Sequence, residues 1–128
     1  MSPVVWQRIE SVAVVALVVV GAIALDFDWW WLLVVFLAFD LSALFYLANT
    51  RIGATSYNAV HNYAAPALLF AAFIMTDVRW LAFVALAWAF HVAVDRALGY
   101  GLKFDDDFQH THLGWIGRSK TPEASSPE

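Results

Sequence analysis

The sequence predicts an all-α fold, a four-helix transmembrane bundle running up-down-up-down, with an interfacial segment after the last helix. Three observations carry this reading. The chain has 128 residues, 62% hydrophobic and only 14% charged, with a mean hydropathy of +0.65. A soluble domain of this size has too little interior to hide so much apolar surface. The apolar residues also fall in four continuous runs, each near the ~20 residues a helix needs to cross the hydrocarbon. Finally, the links "DFD", "NTRIG" and "TD" are short and polar, and short links make neighbouring helices antiparallel. The runs lack the strict alternation of a transmembrane barrel.

In order, the runs predict helices over residues 6–25, 29–48, 54–75 and 78–98. The first contains "AIA", which resembles a cleavage site, but Glu10 opposes Arg8 and the apolar stretch has full spanning length, so a retained helix is expected. Residues 99–117 are too polar to span and rich in Phe104, Phe108, Trp115 and Ile116, which suits the interface. Together residues 1–117 read as one domain. The final "RSKTPEASSPE", residues 118–128, has the composition of a disordered end.

Charge sets the expected orientation. With the N-terminus cytoplasmic, Arg8, Arg51, Arg96, Lys103, Arg118 and Lys120 all fall on the cytoplasmic side and only Arg79 outside. Both termini are therefore expected in the cytoplasm, in a multi-pass protein whose main partner is the lipid bilayer. Trp29, Trp30, Trp31 and Trp80 form an outer aromatic belt. The net charge of −4 and the lack of a basic patch give no basis for nucleic-acid binding. The absence of cysteine excludes disulfides, thiolate metal sites and a cysteine nucleophile.

Polar residues inside the runs gather at one depth. At 1.5 Å per residue, Asp40 lies roughly 12 Å from the inner end of its helix. Tyr57 and Asn58 lie about one turn in, His61 and His91 about two, and Asp95 about one. Tyr57 and His61 are four apart and share a face, as do His91 and Asp95. Three helices thus aim polar groups at one volume in the inner half of the bilayer. Ionisable groups there are costly unless paired, metal-bound or hydrated. Simpler readings stand beside this one. Asp40 can pair with Arg51 or Arg96, His61 can bond a backbone carbonyl, and Asp95 can be interface charge beside Arg96. Glu10 and the "DDD" at Asp105, Asp106 and Asp107 suit solvation. Tyr100, Arg96 and Lys103 suit interface anchors that snorkel to the headgroups.

The blocks "FDLSALFYLANTRIGATSYNAVHNYAAP", "HVAVDRALGYGLKF" and "THLG" resemble a bacterial family of small integral membrane proteins catalogued only as a domain of unknown function. The resemblance covers roughly residues 40–117. Its pattern falls here on Asp40, Ser42, Tyr57, Asn58, His61, His91, Asp95, Arg96, Gly99, Tyr100, Gly101, Lys103, Thr111 and His112, with His110 just before the last block. It implies a four-helix membrane fold, hence the bacterial inner membrane, and brings no known activity.

The chemistry must come from the residues. Asp40, His61, His91 and Asp95, with His112 folding back, suit a divalent transition metal such as zinc, manganese or iron. Such a site can activate water against an ester or phosphoester of a lipid-like or other small-molecule ligand. Tyr57 and Asn58 are then candidates to orient ligands or stabilise developing negative charge. Three alternatives remain open. His61 and His91 could hold a haem, with Arg51 or Arg96 on its propionates. The protonatable groups could serve proton, ion or solute transport, or the cluster could be a hydrogen-bonded knot that locks helix packing. A homo-oligomer is compatible with each.

Overall fold

The computed structural model describes residues 1–117, so the expected tail at 118–128 lies outside the described residues. Helix α1 (Pro3–Ala24) starts at Ser2, whose side chain accepts from the Val5 N–H, with Pro3 at the first helical position. The second run forms a short α2 (Trp31–Val34) that continues as a 3-10 helix (Phe36–Leu47). The third gives α3 (Thr50–Val60) and α4 (Ala64–Thr76), and the fourth gives α5 (Arg79–Leu98). A hairpin of β1 (His110–Thr111) and β2 (Gly114–Trp115) follows, pairing His110 with Trp115 and Thr111 with Gly114. The chain is an all-α bundle, and three of its spans are long and apolar enough to cross a membrane: Pro3–Ala24, Thr50–Thr76 and Arg79–Leu98.

Helix α5 is the axis of the packing; α1, α2, α4 and the 3-10 helix all lie against it. Arginines fasten α1 to it at both ends. Arg8 Nε donates to the Ala97 carbonyl at 2.8 Å, and Arg79 Nη2 donates to the Leu25 carbonyl at 2.6 Å. The two helices are therefore antiparallel. Val18, Ala22, Leu32, Leu86, Ala87 and Phe90 form the apolar core between them. Most other large apolar side chains point outward, among them Leu17, Leu37, Leu41, Leu68 and Ile74. That is the arrangement a hydrocarbon solvent favours.

The second run departs from the expected regular helix. Its 3-10 portion has three residues per turn, so residues three apart eclipse. Phe36, Phe39 and Ser42 form one sheltered row and Asp40, Ala43 and Tyr46 the next, while Leu41, Leu44 and Leu47 are exposed. The tighter winding also lengthens the segment. At about 2.0 Å per 3-10 residue and 1.5 Å per α residue, Trp31–Leu47 reaches roughly 30 Å, close to a hydrocarbon thickness, with fewer residues than an α-helix needs.

The third run is not one continuous helix, as the apolar count suggested. It breaks at His61, Asn62 and Tyr63. Pro66 explains the position: within a continuous helix it would remove a hydrogen bond to residue 62 and clash with that carbonyl, whereas in the first turn of α4 its missing N–H costs nothing. The break is satisfied by side chains. Asn62 Nδ2 donates to the Asn58 and Ala59 carbonyls at 2.7 and 2.9 Å, and Asn62 Oδ1 accepts from the Ala64 N–H at 2.9 Å. Trp88 Nε1 donates to the Val60 carbonyl, and Arg96 Nη2 donates to the His61 carbonyl at 2.9 Å. Non-helical backbone at membrane depth survives only when so partnered.

A candidate metal centre at the break

Each element delivers one part of the site. The break ends α3 at His61, whose ring stacks on Tyr57 at 3.6 Å between centroids and 4° between planes. His61 Nδ1 donates to the Tyr57 carbonyl at 2.9 Å. That bond fixes the tautomer and leaves the Nε2 lone pair free toward the bundle interior. From α5, four residues apart, come His91 and Asp95. From the 3-10 row comes Asp40.

The four converge. Ligand atoms of Asp40, His61, His91 and Asp95 all lie within 4.8 Å of one another. His61 Nε2 stands 3.4 Å from Asp40 Oδ1 and 3.5 Å from Asp95 Oδ2. His91 Nε2 stands 3.4 Å from Asp40 Oδ1 and 3.3 Å from Asp95 Oδ2. The two Nε2 atoms are 2.9 Å apart. Two bare lone pairs repel at that distance, so they share either a proton or a cation. Both histidines are almost completely buried, and Asp95 is 9% exposed. The Asp40 side chain is 42% exposed and forms the open side.

Around this set lies an ordered shell. The Tyr57 hydroxyl donates to Asp95 Oδ2 at 3.3 Å. Phe36 and Phe39 pack on the His91 ring at 4.4 and 5.5 Å between centroids. His91 Nδ1 is buried without a hydrogen bond of normal geometry, and the Phe36 backbone is a polar group beside it. Asp40 and Asp95 open onto a cleft of about 540 Å³ that also touches Tyr57, Leu98, Tyr100, Lys103 and Phe108.

Several expectations change at this level. Asn58 does not reach the four ligand atoms. Its Oδ1 accepts from the Lys103 N–H at 2.6 Å and its Nδ2 donates to the Lys103 carbonyl at 2.8 Å, so both ends of the amide are spent tying the segment after α5 to α3. His112 is also outside the cluster. Its Nδ1 accepts from the Leu102 N–H at 2.8 Å, and burial with the nearby Arg96 charge holds its pKa below the usual imidazole value. His110 bonds Asp106 at 2.8 Å and stacks on Trp115. Arg51 pairs with Asp105 at 3.8 Å rather than with Asp40. Arg96 is buried against the His61 and Tyr100 carbonyls instead of snorkelling.

Lys103 is the residue the sequence misassigned. It is 5% exposed, forms a bridge with Thr111, and its ammonium lies over the Tyr57 and Phe108 rings at 4.6 and 3.9 Å. Nζ donates to the Phe108 carbonyl at 2.8 Å, and burial lowers its pKa to about 8. The segment after α5 is thus a folded cap over the open side of the cluster.

The haem reading meets a steric obstacle. Axial imidazoles on opposite faces of a macrocycle stand two metal–nitrogen bonds apart, about 4 Å at ~2.0 Å per bond. The observed 2.9 Å, with two carboxylates beside it, leaves no plane for a porphyrin.

Residues 4–116 match the domain of unknown function DUF4260, and the chain belongs to that family. No curated protein and no solved structure matches it.

Proposed function

We propose that this DUF4260 membrane protein binds one divalent transition-metal ion through Asp40, His61, His91 and Asp95 and uses it for hydrolysis of a lipid-like substrate. The spacing of the ligand atoms supports this most directly. A tetrahedral ion with bonds of ~2.0–2.1 Å has ligand–ligand edges of about 3.3–3.4 Å. All four histidine–carboxylate separations fall at 3.3–3.5 Å; the His61–His91 edge is shorter, at 2.9 Å, and the two imidazoles must part by about 0.4 Å to complete the tetrahedron. Charge agrees as well: two neutral imidazoles and two carboxylates balance a dication, which removes the cost of burying Asp95. Zinc, manganese and iron all suit this ligand set.

A bound ion supplies Lewis acidity and activates water near neutral pH. The chain's own groups do the rest. The His61–Tyr57 bond and the Tyr57–Asp95 bond hold two ligands in orientation. Asp40, reached from the cleft, is the ligand best placed to yield a position and to take a proton from an incoming nucleophile. The apolar part of the cleft, with Phe36, Ala43, Leu98 and Phe108, suits acyl or isoprenoid chains. The bias of arginine and lysine toward one side supports a cytoplasmic location for both termini and for the cap.

The test is elemental analysis of protein purified in detergent without chelator, wild type beside His91→Ala. Near-stoichiometric metal in the wild type, lost from a variant of unchanged helicity, supports the reading and justifies an esterase and phosphoesterase screen. Absence of metal in the wild type, with no uptake on titration, leaves the cluster as a packing device.

A further inference from the structure

The cleft beside the cluster has a second chemical feature that metal binding leaves unused. Lys103 lines this cleft together with the apolar Phe36, Ala43, Leu98 and Phe108 and the carboxylates of Asp40 and Asp95. Burying a lysine is unfavourable unless the charge meets a partner. Among the described residues no carboxylate comes within salt-bridge distance of Lys103, although Asp95, Asp107 and Asp40 act on its charge from further off, and one of its three N–H donors is taken by the Phe108 carbonyl. Considerable structure is nonetheless spent on placing it. Asn58 grips its backbone at two points, Thr111 bridges it, and two aromatic rings flank its charge. His61 covers one face of the Tyr57 ring at 3.6 Å, so the ammonium, 4.6 Å from the same ring, lies over the other face. The ammonium and the His61 imidazole therefore lie on opposite faces of one aromatic ring, and Lys103 shares one cleft with Asp40 and Asp95.

We infer that Lys103 binds the phosphate of an amphiphilic phosphate ester lying in this cleft, with its apolar chain along Phe36, Ala43 and Leu98. This rests on the metal-centre reading and names its substrate class. A phosphate has oxygens enough to meet a cation on each side, and lysine binds phosphate as a point charge. The placement at the end of α5, where the chain leaves the apolar span, is where a lipid headgroup would lie. Hydrolysis there adds water across the P–O or C–O ester bond, and the proton of the water passes to the leaving oxygen. Lys103 holds the anion and takes no part in the bond exchange.

The experiment uses full-length protein in detergent micelles. Binding is read by titration calorimetry with short-chain dihexanoyl phosphatidic acid, its uncharged diacylglycerol counterpart and inorganic phosphate. Wild type should bind phosphatidic acid at least about tenfold more tightly than either control, since a charge-assisted hydrogen bond contributes on that scale. Lys103→Met should erase that preference and Lys103→Arg should retain most of it, with metal content unchanged in both. Equal binding of phosphatidic acid and diacylglycerol by wild type overturns the inference without needing any variant. Inorganic phosphate competing as well as the amphiphile overturns the lipid assignment. A Lys103-dependent preference in protein shown to take up no metal retains the headgroup site and rejects the metal centre, so the two failures are separable.

Discussion

Replacing Tyr57 with phenylalanine removes one hydroxyl and almost nothing else. The ring stays stacked on His61 and beneath the Lys103 ammonium, because both contacts use the aromatic face. What is lost is the bond from the Tyr57 hydroxyl to Asp95 Oδ2, 3.3 Å long. Groups that orient metal ligands typically contribute 10–100-fold to metal affinity. This bond is longer than the ~2.5–3.0 Å of a strong O–H···O contact, so the loss should sit near the lower end, about tenfold or ~1.4 kcal/mol. Competition against a fluorescent zinc chelator in detergent measures it, with helicity and thermal unfolding followed in parallel. If the cluster is instead a packing knot, the same substitution lowers stability by about 1–3 kcal/mol and no metal affinity exists to change. An affinity within twofold of wild type would refute the argument that Tyr57 orients Asp95 as a ligand.

Arg96→Met should destabilise the fold by about 2–3 kcal/mol, because the His61 and Tyr100 carbonyls lose a charged donor in a buried setting; equilibrium unfolding in mixed micelles reads this. Gly53→Ala places a Cβ 2.3 Å from Tyr46 Cγ, and the overpacking should cost about 1–3 kcal/mol by the same assay. His112→Ala should leave metal content unchanged and cost about 1 kcal/mol through the lost Leu102 N–H bond. For Lys103, burial lowers the pKa from 10.5 to about 8. Between those values the unfolded chain holds a proton that the folded chain has released, so stability rises with pH across that window. Below pH 8 the penalty is fully present, at most about 3 kcal/mol and reduced by the two cation–π contacts. Wild type should therefore gain on Lys103→Met between pH 8 and 10.5, and parallel profiles would contradict this.

The spans were legible because lipid leaves few choices: long apolar runs with short polar links yield helices of known length. The convergence of Asp40, His61, His91 and Asp95 was legible for a related reason. In an apolar stretch each polar residue stands out, and spacing with depth assigns it a face and a level. Residues joined across long separations were not legible. Asn58 and Lys103 lie 45 positions apart, and no local pattern says that a lysine just past a helix end turns inward. The composition rule for such a lysine is snorkelling, and here the cap reverses it. The 3-10 winding of Phe36–Leu47 was hidden because nearly every position there is apolar, so periods of 3.0 and 3.6 look alike. The break at His61 did leave a signal. Pro66 in "HNYAAP" marks a helix start about one turn earlier, and the unbroken hydropathy masked it.

That break explains why the cluster stands where it does. A continuous helix through His61 would consume the Val60 and His61 carbonyls in its own ladder. The interruption frees them, and both are taken by α5, through Trp88 and Arg96. The same helix presents His91 between those clamps and Asp95 beside the second. Helix α5 therefore fixes the end of α3 and supplies half of the cluster from one rigid element, which sets the separation of His61 from His91. The break and the ligand geometry are one mechanical unit. Loosening a clamp that touches none of the four ligand atoms should widen the His61–His91 distance and weaken metal binding together with stability. Arg96→Met is where the two losses should appear jointly, whereas Gly53→Ala, which acts on the far end of α3 through Tyr46, should reduce stability and spare the metal.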